Sequence, residues 1–233
     1  MNKLQFIDLG LSEYGVTWEK QEAMMKEIIG LKLANQHLPE SERITTPGYL
    51  LFVEHPPVYT LGKSGESHNL LLSGSQLADK QISFYNTNRG GDITFHGPGQ
   101  LVGYPILDLE NFGMGLRQYI YSIEESVIKA ISLFGIVGSR DPDATGVWLD
   151  TGLPTARKIC AIGVRSSRYV TMHGFALNVN TDLEYYRYIH PCGLIDKGVT
   201  SMAAELGLSI GMDELKNAVL TSFLDIFDSK INS

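Results

Sequence analysis

Between Asn88 and Pro105 the chain reads NRGGDITFHGPGQLVGYP, with glycine at positions 90, 91, 97, 99 and 103. Each glycine gives up more backbone entropy on folding than any other residue. Five of them in one short stretch therefore mark a place where the backbone must come close to something. The flanking runs QISFYNTNR and LVGYPILDL read as strands, so the stretch is expected to be a strand end, a tight turn and a strand start. Its glycines fit neither the phosphate-loop spacing nor the dinucleotide-binding spacing, and no helix follows at once. Two readings stand. The glycines are plain turn residues and His96 is a satisfied histidine, or the backbone forms a wall against which a narrow, apolar ligand lies.

The rest of the chain gives strands in clusters separated by a few helices. KLQFIDLG, PGYLLFVEHPP and VYTLGKSG read as strands before the glycine stretch. TGVWLD, KICAIGVR and YVTMHGFALNV read as strands after it, the last two forming a hairpin about a turn at Arg165–Arg168. A helix is expected from about Ser12 to Gln36, with Trp18, Met25, Ile28 and Leu31 or Leu33 on its apolar face. A second carries Leu116, Ile120, Ile123, Val127, Ile131 and Phe134 and stops at Gly135. A third carries Leu215, Val219, Phe223, Ile226 and Phe227. This order favours an α+β or mixed α/β fold with a largely antiparallel sheet. No repeat or linker divides the chain, so one domain over residues 1–233 is expected.

Composition narrows the function classes. The 233 residues carry a net charge of −7, which argues against a general nucleic-acid binder. No apolar run reaches the roughly 18 residues of a membrane helix, and MNKLQFIDLG lacks the apolar core of a signal peptide. A cytoplasmic protein is expected. The two cysteines, Cys160 and Cys192, do not make a disulfide framework in a chain of this size. Neither they nor the histidines at 37, 55, 68, 96, 173 and 190 show a metal-ligand spacing, so no metal is expected.

Two further stretches carry chemistry. RKICAIGVRSSR, residues 157–168, holds Arg157, Lys158, Arg165 and Arg168 and no acid. It reads as a solvated hairpin edge or as a landing patch for an acidic partner. Cys192 stands between Pro191 and Gly193, in a loop. It is either an idle thiol or a nucleophile. A free thiol titrates near ~8.5, so a neighbouring cation would raise its thiolate fraction severalfold. Spacing alone does not pair Lys158 with Cys192.

RGGDITFHGPGQLVGY resembles the motif R-G-G-x-x-T-aromatic-H-x-x-G-Q-x-aliphatic-x-Y of the octanoyltransferases, also called lipoate-protein ligase B or lipoyl(octanoyl) transferase. KICAIGVR, HGFALNVNTDL and PCGL follow in the family's order. The resemblance runs from FVEHPPVYTLGK to GVTSM, most of the chain. It implies a fold like the catalytic domain of biotin and lipoate ligases, a mixed sheet with flanking helices. It implies transfer of an octanoyl or lipoyl group from acyl carrier protein to one lysine of a lipoyl domain, without a cofactor. The acceptors it implies are the lipoyl domains of 2-oxoacid dehydrogenase complexes or the glycine cleavage H protein.

By the same resemblance Cys192 carries the acyl group as a thioester and Lys158 is its partner. The acyl-contacting residues fall on Arg89, Gly90, Gly91, Asp92, Ile93, Thr94, Phe95 and His96, on Ala161, Ile162 and Gly163, and on Gly174, Phe175 and Ala176. Asp92 falls at a variable position of the motif. Cys160 departs from the pattern, which has a small residue such as alanine there. On this reading the glycines at 90 and 91 line an acyl channel, and His96 fixes or polarises the reacting end. The rival readings are an ATP-dependent lipoate or biotin ligase of similar fold, a cysteine hydrolase using Cys192 with His190 or His96, and a non-catalytic module that binds an acyl carrier.

Overall fold

The most continuously apolar runs become the central strands, because only a strand covered on both faces can bury every residue. The computed structural model of the protein describes residues 2–190 and 197–231. In chain order its elements are β1 (Asn2–Leu11), α1 (Tyr14–Asn35), β2 (Tyr49–Glu54), β3 (Val58–Leu61), α2 (Gly74–Asp79), β4 (Ser83–Asn86), β5 (Ile93–His96), β6 (Gln100–Ile106) and α3 (Leu116–Ser132). They continue with β7 (Ser139–Asp141), β8 (Ala144–Leu149), β9 (Arg157–Ser167), β10 (Val170–Asn178), β11 (Gly198–Val199), α4 (Met202–Leu206), α5 (Met212–Ile226) and β12 (Ser229–Ile231).

Among the described residues the large sheet runs β12-β1-β2-β6-β10-β9-β8-β7, with β11 added to β9. The pairs β12–β1, β1–β2 and β11–β9 are parallel, and the pairs from β2 to β7 are antiparallel. The expected mixed, largely antiparallel sheet is therefore present. α3 and α5 cover one face, burying Ile123, Val127, Val219 and Phe223 against Val147, Phe175 and Leu177. α1 lies on the other face, with Met25 and Ile28 against Leu51, Val102 and Met172. A second, small sheet, β4-β3-β5, stands beside α1 with its own core of Tyr59, Ile93 and Phe95.

Several local expectations change. The glycine stretch is not only a turn: it contains β5, which pairs with β3 in the small sheet. The hairpin turn is tighter than Arg165–Arg168. β9 runs to Ser167, and Arg168 and Tyr169 alone turn the chain, both at positive φ, 53° and 63°. That is the type I′ geometry whose twist matches the strands.

The stripe of α1 is Tyr14, Thr17, Gln21, Met25 and Ile28, and its next position is Lys32, so Leu31 and Leu33 fall beside it. Two of those buried residues are polar: Gln21 Oε1 accepts from the His173 N–H of β10 at 2.9 Å, and Thr17 Oγ1 donates to the Glu13 carbonyl at 3.0 Å. Lys32 ends the stripe in an ion pair with the buried Asp108. α3 is rotated likewise, burying Tyr119, Ile123, Val127 and Ile131 while Leu116 is exposed.

Candidate active site

On the α1 side of the large sheet, between β9, β10, β6 and the small sheet, lies a cavity of about 420 Å³. Its floor is kept low by small side chains in register. Ala161 on β9 pairs with Ala176 on β10, which pairs with Val102 on β6, and Gly163 pairs with Gly174. All five residues line the cavity. The floor is thus a strip of sheet from which almost no side chain rises, with room for a methylene chain above it.

Lys158 stands at one end of this strip. Residues 158 and 161 are three apart, and in a regular strand they would point to opposite faces. The ladder between β8 and β9 skips a residue here, pairing Val147 with Cys160 but Trp148 with Lys158. Ile159 is the extra residue of a β-bulge. It lets Ile159 and Cys160 both enter the core under α3, while Lys158 and Ala161 both face the cavity. Gly146 completes the arrangement. At φ 129° a Cβ there would lie 2.5 Å from the Cys160 carbonyl oxygen and 3.4 Å from Lys158 Cε.

The ammonium of Lys158 lies over the Trp148 ring, 4.6 Å from its centroid. Among the described residues no oxygen accepts a hydrogen bond from it. Burial pushes its proton affinity down to about 8, and the nearby Lys197 pushes in the same direction against Cys160, Asp141 and Glu124.

His96 is fully inside. Its Nδ1 meets Gln100 Oε1 at 2.8 Å. From Gln100 a hydrogen-bonded path leads toward the Lys158 end. Gln100 Nε2 donates to Asn178 Oδ1, Asn178 Nδ2 to the Thr200 carbonyl, and the Thr200 N–H to the Lys158 carbonyl, at 2.9, 3.0 and 2.9 Å. Burial holds the His96 ring well below the ordinary histidine range, helped by His55, so it acts as a neutral, positioned group. Tyr14 stacks on its face at 5.9 Å. Arg89 is also buried, and its hydrogen bonds go to neutral oxygens: Nη2 to the Thr60 carbonyl and hydroxyl, Nη1 to the Gly90 carbonyl. It fastens the small sheet to the edge of the cavity.

Of the residues expected to contact an acyl chain, Arg89, Gly91, Asp92, Ile93, Thr94, His96, Ala161, Ile162, Gly163, Gly174, Phe175 and Ala176 line the cavity together with Lys158. Two fall elsewhere. Phe95 alternates with Thr94 and His96 along β5, so its ring points into the small sheet's core, stacked on Tyr185 at 4.4 Å. Gly90 donates its N–H to the Val164 carbonyl at 2.9 Å and lies outside the lining. Gly91 does line the cavity, but its φ of +84° is what demands glycine there, so a bulky residue at 91 disturbs folding as well as the wall.

Pro191, Cys192 and Gly193 lie outside the described residues. Cys160, the unexpected thiol, is fully buried, and burial pushes its pKa up, so it does not compete as a nucleophile. Among the described residues no three His, Cys, Asp or Glu side chains form a metal site.

Sequence reasoning passed over Tyr14, Tyr104, His173, Asn178 and Tyr186, which also line the cavity. Tyr104 closes the quoted motif and could have been named from it; the signal of the others was weak, a tyrosine opening a helix, polar residues inside an apolar strand and a tyrosine in the short helical turn Leu183–Tyr188. The basic stretch 157–168 does not form one face. Arg157 is held by Glu205 and Asp150, Arg165 lies 3.8 Å from Glu22, and Lys158 turns into the cavity. Of the three arginines, only Arg168, at the turn, has no anionic partner among the described residues.

The floor gives a direct test. The Ala161 side chain faces the void, so Ala161→Leu places its added carbons where ligand atoms would lie. Two displaced methylenes forfeit about 1.6 kcal/mol of burial, roughly a tenfold loss or more. Acyl loading followed by intact-protein mass is expected to slow by about that factor, with an unchanged melting temperature. Loading at the wild-type rate would show that the chain does not lie on this strip.

A family model described as the lipoyl protein ligase A/B catalytic domain matches residues 16–224. An octanoyltransferase of Christiangramia forsetii is 52% identical over 233 residues, covering 99% of each chain. One from Flavobacterium johnsoniae is 53% identical over 230 residues, covering 98% of each. Among solved structures, a bi-partite lipoate protein ligase from Thermoplasma acidophilum superposes with a TM-score of 0.70 at 13% identity, covering 100% of this chain and 87% of that one. At that identity the likeness concerns the fold alone, which is the lipoate-ligase-like fold that the motifs implied.

Proposed function

The chain belongs to the lipoyl protein ligase A/B catalytic-domain family and within it to the octanoyltransferases, and from that premise we propose that Cys192 carries the octanoyl group while Lys158 serves as acid and base in turn. Octanoyl transfer in protein lipoylation is the activity. The observation that supports the mechanism best is Lys158: a buried ammonium without an oxygen partner among the described residues, at one end of a cavity floored by alanine and glycine. The donor is octanoyl-acyl carrier protein. The acceptor is a lysine on a lipoyl domain of a 2-oxoacid dehydrogenase complex or on the glycine cleavage H protein.

In this reading the protonated Lys158 stabilises the Cys192 thiolate, which attacks the donor thioester. The bond between carrier sulfur and acyl carbon breaks as the bond to Cys192 sulfur forms. One thioester replaces another, so the free-energy change is small. Lys158 gives its proton to the departing carrier thiolate and is then neutral, as its low proton affinity favours near pH 8. It next takes a proton from the neutral acceptor amine as that amine attacks the Cys192 thioester. An amide forms, and the thiolate of Cys192 and the ammonium of Lys158 are restored. The acyl chain lies on the strip from Ala161 to Gly163, held by burial of its methylenes. His96, neutral and fixed through Gln100, orders the wall beside it.

Among the described residues no helix is long and apolar enough to cross a membrane, and the cytoplasm, where carrier and acceptors meet, is the proposed location. The chain works as a single catalytic domain in this reading. Intact-protein mass after mixing with octanoyl-carrier, without nucleotide, tests it. Wild type is expected to gain one octanoyl group and to pass it to a lipoyl domain, whereas Cys192→Ser gains none. An adduct that persists in Cys192→Ser, or a strict need for ATP, would overturn the scheme. Release of free octanoate in place of amide would mark a hydrolase.

A further inference from the structure

The indole of Trp148 is fully buried, and its Nε1 donates to the Ala144 carbonyl at 2.7 Å, which fixes the ring. Two ammonium groups lie over that ring: Lys158 at 4.6 Å from the centroid and Lys197 at 5.0 Å. A ring face attracts a cation, and two cations brought to one ring repel each other. Lys197 is held there from two sides. Asp141 Oδ2 accepts from its Nζ at 2.5 Å, and Asp141 is itself oriented by the Asp143 N–H at 3.0 Å. The backbone that follows Lys197 is β11, which pairs with β9 so that Val199 lies opposite Lys158. The second lysine is thus anchored by side chain and by strand. Its ammonium is held near the first, and Asp141 satisfies Lys197 while making no hydrogen bond to Lys158.

The geometry points to Lys197 as a tuning residue of the transfer reaction: held by Asp141 over the indole that Lys158 shares, it makes Lys158 release its proton more readily. This rests on the reading of Lys158 as acid and base. Among the described residues, the other charged or titratable groups facing Lys158 are Cys160 on its own strand, Asp141 on β7 and Glu124 on α3. Glu124 is engaged elsewhere, accepting from the Gly146 N–H at 3.0 Å and from Arg140 Nε at 3.1 Å. Lys197 is the one cation in this set, so its removal has a definite sign. Lys197 does not touch the reacting atoms in this scheme; it acts through Lys158.

The test reads Lys158 itself and does not need turnover. The full chain is labelled with a trace of acetic anhydride across pH 6.5–11, and acetylation of the Lys158 peptide is followed by mass spectrometry against an exposed lysine. Lys197→Met is expected to move the labelling midpoint of Lys158 up by about half a pH unit or more, with a roughly twofold or greater fall in labelling at pH 8. Lys197→Arg keeps the charge and is expected to stay at the wild-type midpoint. Asp141→Asn removes an attractive charge and is expected to move the midpoint down. The inference is overturned if Lys197→Met leaves the midpoint in place, or if Lys197→Arg moves it as far as Lys197→Met does, since packing rather than charge would then be responsible. Failure of the Cys192 thioester test with the labelling shift intact would sink the mechanism and leave the tuning.

Discussion

Lys158→Met is expected to lower octanoyl transfer by about 10²- to 10⁴-fold, the range for a positioned acid–base group, without lowering the melting temperature at pH 7. The two halves have one cause. In the folded protein the Lys158 ammonium is buried without an oxygen partner among the described residues, and its proton affinity falls to about 8. In the unfolded chain it returns to ~10.4. Between those values the unfolded state binds more protons, so stability rises with pH across that window. Below about pH 8 the folded protein carries the full cost of a buried charge. Methionine has a similar length and no charge, and it relieves that cost. A melt at pH 7 equal to or above wild type, with transfer lost, is the expected pair of results. A variant that melts far lower would make Lys158 a structural residue, and one that keeps its activity would remove it from the mechanism. Lys158→Arg is expected to fail as well, because a guanidinium keeps its proton across this pH range and cannot serve as the base.

Gly174→Ala is expected to lose stability before it loses chemistry. The residue belongs to the strip below the acyl chain, and an acyl-contact role is one account of its glycine. A Cβ at 174, however, would lie 2.1 Å from the Gly103 carbonyl oxygen and 2.7 Å from Pro105 Cδ, one residue before the β6–β10 pairing starts at Phe175 and Gly103. Backbone cannot rotate away as a side chain can. The strands must part, at about 3 kcal/mol, which lowers the melting temperature by roughly 6–12 °C in a chain of this size. Thermal melting measures it directly. A melting temperature within a degree or two of wild type would mean that the sheet yields there, and that the glycine serves the ligand instead.

The two glycine-bearing blocks show what a sequence can and cannot carry. Short apolar runs around Tyr49–Glu54 and Val170–Asn178 made the central strands legible, since their burial depends on composition alone. The side that each residue faces was legible only where alternation is unbroken. Phe95 follows that alternation and points away from the cavity, although its motif neighbours face it. Lys158 breaks it. No pattern in RKICAIG announces that Ile159 is an extra residue, because a bulge is decided by the partner strand and by the space at Gly146. Long-range charge pairing was equally hidden. Arg157 finds Glu205, 48 positions on, and Arg165 approaches Glu22, 143 positions back, so a run that is +4 on paper is largely neutralised in the fold. The buried polar face of α1 was missed for the same reason: Gln21 is inside because a backbone N–H 152 positions away needs an acceptor.

The extra residue in β9 places a demand on lineage as well as on shape. Relatives of this chain can exchange Ile159 for another apolar residue and lose only some packing. Straightening β9 at unchanged length would turn the lysine toward α3, whereas deleting Ile159 together with the bulge would leave Lys158 and Ala161 two apart and on the same face. What the chemistry guards is therefore the parity between positions 158 and 161, set jointly by the bulge and by the register of β8, and surveys that score substitutions alone will overlook it.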